Sequence, residues 1–238
     1  MLIGTWNSQG YKFQGGYLDN ILKKYNLDVL CIQECGDLSC YFTKKEHYKY
    51  ENQIYIGKRG DYHLIYYPWR NHCRCSMAVM VKDDYHIESA TLYESNIKPI
   101  TNADLIEETE CDNEGNNGLR KELRPIMMVK IRSDVSSVTI CNTHLPSGCP
   151  GFARRVGYTF LTGYNPSNFI MVGDMNSLPL DWKLPPNIHI KTAGETYSWD
   201  NLSKCYDYCI TDITQAYAYE TYYPGNSDHL VAIFDFDI

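Results

Sequence analysis

Leu2-Ile3-Gly4-Thr5-Trp6-Asn7 and Leu27-Asp28-Val29-Leu30-Cys31-Ile32-Gln33-Glu34 are the stretches on which the fold turns. Each is a short apolar run that ends in a polar island. The second shows almost no alternation of apolar and polar residues, the pattern of a strand covered on both faces. Between them Leu18, Ile21, Leu22 and Tyr25 recur at i, i+3, i+4 and i+7, which predicts a helix, and Asn26 suits its end. Strand, helix and strand in this order predict a β-α-β opening that brings Asn7 and Glu34 side by side.

Further strands are predicted at 63–67, 76–82, 126–131, 137–142, 169–172, 206–211 and 230–236, and a helix carries Phe152, Val156 and Phe160 on one face with Arg154 and Arg155 on the other. The clusters Tyr62, Tyr66, Tyr67 and Tyr217, Tyr219, Tyr222, Tyr223 read as half-buried strand residues and not as a stacking platform for bases, because aromatic side chains favour strands. The acidic stretch 107–118 reads as a surface loop, and Pro185-Pro186 marks another. Many strands with few helices predict two stacked sheets with helices outside. Polar islands recur from one end of the chain to the other, so a single domain over 1–238 is expected, with the strand ends converging on one edge.

At 44% apolar and 21% charged residues the chain can bury a sizeable core. The balance of 22 basic against 29 acidic residues, net charge −7, excludes a protein that coats nucleic acid by bulk attraction. A polyanion would have to be met by a local basic patch. Ten cysteines are too sparse for a disulfide scaffold and too irregular for zinc-ligand pairs, so a reduced compartment is the simplest expectation. Cys31 and Cys141, inside apolar runs, are expected to pack as small buried hydrophobes. No secretory signal or membrane span is read in the sequence.

The polar islands are Thr5-Trp6-Asn7-Ser8-Gln9-Gly10, Gln33-Glu34, Asn142-Thr143-His144, Gly173-Asp174-Met175-Asn176 and Ser227-Asp228-His229. Their amides, carboxylates and imidazoles are the groups that hold a hard divalent cation, a phosphate and an attacking water. Taken singly each has an ordinary explanation: Glu34 could cap a loop, Asp174 and Asn176 could form an Asx-turn with Gly173 allowing a sharp bend, and His144 and His229 could be plain hydrogen-bonded histidines. Their joint occurrence in this order at strand ends changes that weighing.

The ordered set resembles the endonuclease/exonuclease/phosphatase superfamily, to which deoxyribonuclease I belongs, and within it most specifically the catalytic B subunits of cytolethal distending toxins. Trp6-Asn7-Ser8-Gln9-Gly10 is similar to the W-N-x-Q-G opening of those subunits, and Gln33-Glu34-Cys35-Gly36 to their Q-E-A-G. Ile65-Tyr66-Tyr67, Arg74 ahead of Ser76-Met77-Ala78-Val79, and Leu123-Arg124-Pro125-Ile126 are similar to further segments. Tyr206-Asp207-Tyr208 resembles the superfamily's L-D-Y with Tyr206 in place of Leu, and Ser227-Asp228-His229 matches its S-D-H. Asn142-Thr143-His144-Leu145 is closer to the general T-H-L than to the toxin pattern, and the 107–118 loop has no counterpart.

The resemblance implies a four-layer α-β-β-α sandwich of two stacked mixed sheets with outer helices. It implies a Mg²⁺-dependent phosphodiesterase that nicks duplex DNA, with Mn²⁺ as a substitute ion. Glu34, with Asn7 and Asp228, would hold the metal. The general base would be His229, oriented by Asp207, or Asp174. His144 would protonate or stabilise the leaving oxygen or the phosphate, and Asn176 would orient the phosphate. Arg74 and Arg124 would meet the DNA backbone through bidentate guanidinium contacts. Delivery subunits are implied partners, and the expected setting is a secreted toxin or effector acting inside a host cell, or else the cytoplasm. A phosphoinositide or other phosphomonoester phosphatase on the same site, and a catalytically silent binding module, are the competing readings.

Overall fold

The parallel pair expected at the front of the chain is present: β1 (Leu2–Asn7) runs parallel to β2 (Val29–Gln33), with α1 (Tyr17–Tyr25) between them. The computed structural model describes residues 1–10, 16–42, 48–50, 54–69, 74–95, 124–148, 150–197, 203–225 and 227–238. The acidic stretch 107–118 lies outside the described residues. Helix α1 buries Leu18, Ile21 and Leu22. It ends at Asn26, which adopts the left-handed conformation (φ 50°) and donates its N–H to Leu22 O at 2.9 Å.

A second unit of the same kind follows later in the chain. Strand β9 (Ser137–His144) leads through α2 (Pro150–Thr159), which passes into a π-helical turn at Phe160–Tyr164, to β10 (Phe169–Asp174), parallel to β9. The remaining strands are β3 (Tyr48–Tyr50), β4 (Ile54–Arg59), β5 (Tyr62–Tyr67), β6 (Met77–Lys82), β7 (His86–Tyr93), β8 (Ile126–Arg132), β11 (His189–Lys191), β12 (Asp207–Thr211), β13 (Ala216–Tyr222) and β14 (Val231–Phe236). They form an eight-stranded sheet in the order β13-β14-β1-β2-β6-β5-β4-β3 and a six-stranded sheet in the order β11-β12-β10-β9-β8-β7.

Three apolar clusters define the layers. Ile3, Val29, Cys31, Val79, Val129, Ile140, Ile170, Val172 and Phe234 fill the space between the two sheets. Leu18, Ile21 and Leu22 of α1 pack with Leu30, Ile32, Met80 and Ile233 on the outer face of the larger sheet. Phe152, Ala153 and Val156 of α2 do the same with Met128, Cys141, Met171 and Ile210 on the smaller one. Strands covered on both faces have to be apolar at every position, which is why β2 and β10 carry unbroken apolar runs. The four-layer α-β-β-α sandwich is therefore observed. Cys31 and Cys141 are fully buried, as their apolar runs predict. Among the described residues no helix is long and apolar enough to cross a membrane.

The structure differs from the sequence expectations in three places. Strands β3, β4, β7, β11 and β13 are additional. Two of these have only three residues, and β7 and β13 lie at sheet edges, where little of the strand is covered and apolar patterning is weak. The second tyrosine cluster is not half-buried throughout: Tyr217 and Tyr219 on edge strand β13 are 60% and 59% exposed.

Gly173, finally, does not make a turn. It lies inside β10 opposite Thr143 of β9, with φ 149°, and a Cβ there would stand 1.9 Å from the Thr143 carbonyl oxygen. The turn belongs to Asn176, whose φ is 47°. Gly173→Ala should therefore lower the unfolding free energy by about 3 kcal/mol or more, since backbone strain and a backbone clash combine. The check is the denaturant midpoint; an unchanged value would mean that β9 and β10 can part without cost.

Candidate active site

Each parallel pair sets two polar islands side by side at the same edge of the sandwich. In the larger sheet Asn7 is the register partner of Gln33, the residue before Glu34. In the smaller sheet Asp174 is the partner of His144 on one side and of Asp207 on the other. The strands run two residues further than expected, so His144 and Asp174 are the last residues of β9 and β10. Asp228 and His229 enter just before β14, where Ser227 Oγ donates to Asn7 O at 2.7 Å and accepts from the His229 N–H at 3.1 Å.

The result is a cavity of about 250 Å³ whose walls include Asn7, Glu34, Arg74, His144, Asp174, Asn176, Asp228 and His229. Asp174 sits at its centre. Its Oδ2 accepts from Asn7 Nδ2 at 3.0 Å and lies 3.6 Å from His144 Nε2 and 3.9 Å from His229 Nε2. Its Oδ1 accepts the Asn176 N–H at 3.0 Å. The Asn176 side chain donates to Leu145 O at 2.9 Å. Glu34 Oε1 is 3.7 Å from His144 Nε2, and Glu34 Oε2 is paired with Arg74 Nε.

Two of the expected residues stand back from the cavity. Asp207 is fully buried behind His229, with Oδ2 at 2.7 Å from His229 Nδ1, and so turns Nε2 of that ring towards Asp174 and Asp228. Arg124 does not line the cavity and donates to Leu145 O at 3.4 Å. Residues that the sequence reading did not find also contribute. Tyr197 and Lys204 line the cavity beside Tyr206 of the expected 206–211 strand, and Tyr197 packs against the rings of Tyr206 and His229 at 5.6 and 4.9 Å. Thr196 Oγ1 accepts the Asp207 N–H at 3.0 Å. Thr196, Tyr197 and Lys204 lie in a segment whose described residues form only isolated bridges, Tyr197 to Lys204 and to His229, so no strand pattern announced these three.

The two imidazoles have opposite proton affinities. Burial strips His144 of hydration, and the charges of Arg124, His229 and Arg74 act in the same direction, so its pKa falls well below the ordinary histidine value. Burial would lower His229 as well, but Asp207, Asp174 and Asp228 outweigh it and lift the pKa to about 10. Burial raises Asp174; the His229 charge pulls it back, Asp207 pushes it up again, and it comes to about 6. At neutral pH the site thus holds a neutral His144, a protonated His229 and a largely ionised Asp174.

Two groups of side chains could take a cation. Asp174, Asp207 and His229 have ligand atoms within 4.8 Å of one another and could hold a metal ion if the 2.7 Å hydrogen bond between Asp207 Oδ2 and His229 Nδ1 were given up. Glu34 and Asp228 bring carboxylate oxygens to the cavity, the donor type that Mg²⁺ prefers, while Asn7 turns its Nδ2 to Asp174 and its Oδ1 accepts the Gln9 N–H at 3.2 Å. Asp228 Oδ1 is buried without a hydrogen-bond partner among the described residues, a state that a bound cation would relieve. The residues present therefore fit a hard divalent ion.

No family model matches the sequence, and no curated protein matches it by sequence. Solved structures do match in three dimensions. The Haemophilus ducreyi cytolethal distending toxin is 17% identical with a TM-score of 0.65, covering 100% of this chain and 98% of that one. A truncated Caenorhabditis elegans TDP2 is 16% identical with a TM-score of 0.63, covering 100% and 97%. An endonuclease/exonuclease/phosphatase family protein from Leptotrichia buccalis is 16% identical with a TM-score of 0.65, covering 100% of both chains. Two stacked mixed sheets between outer helices, matched over the whole chain by these structures, establish that this protein has the deoxyribonuclease I-like fold of the endonuclease/exonuclease/phosphatase superfamily.

Proposed function

We propose that residues 1–238 form one Mg²⁺-dependent phosphodiesterase domain that nicks duplex DNA in the manner of a distending-toxin B subunit, with Mn²⁺ able to replace Mg²⁺. The observation that carries this reading is the placement of Asp174 Oδ2 among Asn7, His144 and His229, beside the carboxylates of Glu34 and Asp228. A phosphodiester is anionic before reaction, so catalysis has to neutralise its non-bridging oxygens and the charge growing on the leaving oxygen. Glu34, Asn7 and Asp228 would hold the divalent ion, which would supply part of that neutralisation.

The chain's own residues supply the rest. Asp174, at about 6, is matched to accept the proton of an attacking water near neutral pH. His229, at about 10, already carries its proton and is a poor base; it neutralises the phosphate and can give its proton to the leaving oxygen. Of the two candidates, Asp174 and His229, this favours Asp174 as the general base. His144, neutral, acts as a hydrogen-bond donor to a phosphate oxygen, and Asn176 orients the phosphate as a second uncharged donor. With net charge −7, contact with the phosphate backbone would fall to local cations such as Arg74 at the cavity, with little readout of sequence.

The deciding experiment is relaxation of supercoiled plasmid by the purified protein. Nicking should require Mg²⁺, stop on addition of EDTA and return when Mg²⁺ is restored in excess. Folded protein that leaves the plasmid intact under all conditions would reject the nuclease, and phosphate release from a phosphoinositide would then be measured. Arg74→Ala and Arg124→Ala should each weaken DNA binding and reduce the slope of log K against log salt by about one. Fluorescence anisotropy across a salt series checks this; an unchanged slope removes that arginine from the DNA contacts.

A further inference from the structure

We propose that Asn142 and Gln33 form a positioning clamp that sets the spacing of Glu34 and His144 across the two sheets, an inference that rests on the catalytic reading of those two side chains. Glu34 follows β2 of the larger sheet, and His144 ends β9 of the smaller one. The packing between the sheets is apolar and so does not fix relative position by direction. At the edge that carries the site, carboxamides take over.

Asn142 is fully buried, and its side chain crosses to the other sheet. Its Nδ2 donates to Ile32 O at 3.0 Å and to Ala78 O at 2.9 Å, and its Oδ1 accepts from Gln33 Nε2 at 2.7 Å. Ile32 and Ala78 are register partners at the end of the β2–β6 ladder. Gln33 Nε2 also donates to Thr5 Oγ1 at 3.0 Å, which ties β1 into the same network. One side chain of the smaller sheet is thus bonded to β2 and β6, and through Gln33 to β1.

The position of the clamp relates it to the chemistry. Gln33 directly precedes Glu34, which is held in a left-handed backbone conformation (φ 49°) that non-glycine residues seldom adopt without support. Asn142 lies two residues before His144, on the same face of its strand. Both carboxamides are therefore one or two residues from the 3.7 Å approach of Glu34 Oε1 to His144 Nε2. Gln33 Oε1 remains buried without a partner among the described residues, a cost that an apolar residue would avoid. The clamp trades that cost for a fixed register, the use for which buried polar groups are best known.

The test uses Asn142→Leu, with Gln33→Met as a milder variant that leaves the Asn142 bonds to backbone in place. Asn142→Leu should lower kcat for plasmid nicking about 10²-fold with KM little changed, because a displacement of about 1 Å at a reacting centre has that effect. In the Glu34→Ala background the same substitution should cost almost nothing more, since the two act through one spacing. A crystal structure of the variant should show Glu34 Oε1 and His144 Nε2 further apart than 3.7 Å. A loss that simply adds to that of Glu34→Ala, or an unchanged separation, overturns the clamp. Should the native protein not nick DNA, the nuclease reading fails, and the crystallographic separation decides the clamp by itself.

Discussion

His229→Ala is expected to lower the rate of plasmid nicking by about 10⁴-fold, the upper end of what one proton-transferring side chain contributes. The size follows from how much this ring does in the site. Its Nδ1 is held by Asp207 Oδ2 at 2.7 Å, its Nε2 stands 3.9 Å from Asp174 Oδ2 and 3.7 Å from Asp228 Oδ1, and three carboxylates keep it protonated. Removing it takes away a buried positive charge beside Asp174 and, on the proposed mechanism, the proton source for the leaving oxygen.

The same substitution has a second, directional consequence. The His229 charge lowers the Asp174 pKa, so its loss raises that pKa above about 6. A base is active when deprotonated, and activity therefore rises as pH climbs through its pKa. The acidic limb of the residual pH–rate profile should move to higher pH in His229→Ala. A limb that stays in place would show that Asp174 is not the base. A shift to lower pH would contradict the sign of the charge interaction. Asp207→Asn should give a smaller loss of the same kind, because it leaves the ring oriented but removes the strongest support for its proton.

Much of this site could be read from the chain because strand ends in a covered sheet leave a simple mark. An apolar run stops, and the next polar residue is at the edge, as with Asn7, Glu34, His144 and Asp174. The two β-α-β units follow the same logic, since parallel strands need a helix to join them. Residues outside that pattern were out of reach. Tyr197 and Lys204 reach the cavity, and Thr196 braces Asp207, from a segment in which the described residues form only isolated bridges, and edge strands β7 and β13 carry too little burial to pattern their sequence. Gly173 was misread for a different reason: a glycine after an apolar run looks like a turn, whereas its use here is the close approach of β10 to the Thr143 carbonyl. The roles of Arg74 and Arg124 also depended on geometry, because a guanidinium's partner cannot be told from its place in the chain. One is paired with Glu34 and the other holds a backbone carbonyl.

Glu34→Gln should reduce nicking by about 10²–10³-fold, the range for losing one charge-stabilising group in a preorganised site, and should raise the Mg²⁺ concentration needed for half-maximal rate. The substitution keeps shape and volume while removing the charge. Glu34 is a nearly buried carboxylate with Arg74 on one oxygen and His144 at 3.7 Å from the other, so the free site is balanced by a guanidinium. A divalent ion has to compete with that pairing for the same carboxylate. Arg74→Ala should consequently tighten Mg²⁺ binding while weakening DNA binding, whereas Glu34→Gln weakens Mg²⁺ binding with Arg74 still present. Calorimetric Mg²⁺ titration separates the two without any need for turnover. Equal Mg²⁺ affinity in native protein and Glu34→Gln would remove Glu34 from the metal site and leave it as the partner of Arg74 alone. Opposite shifts in the two variants would identify Glu34 as the carboxylate shared between the arginine and the ion.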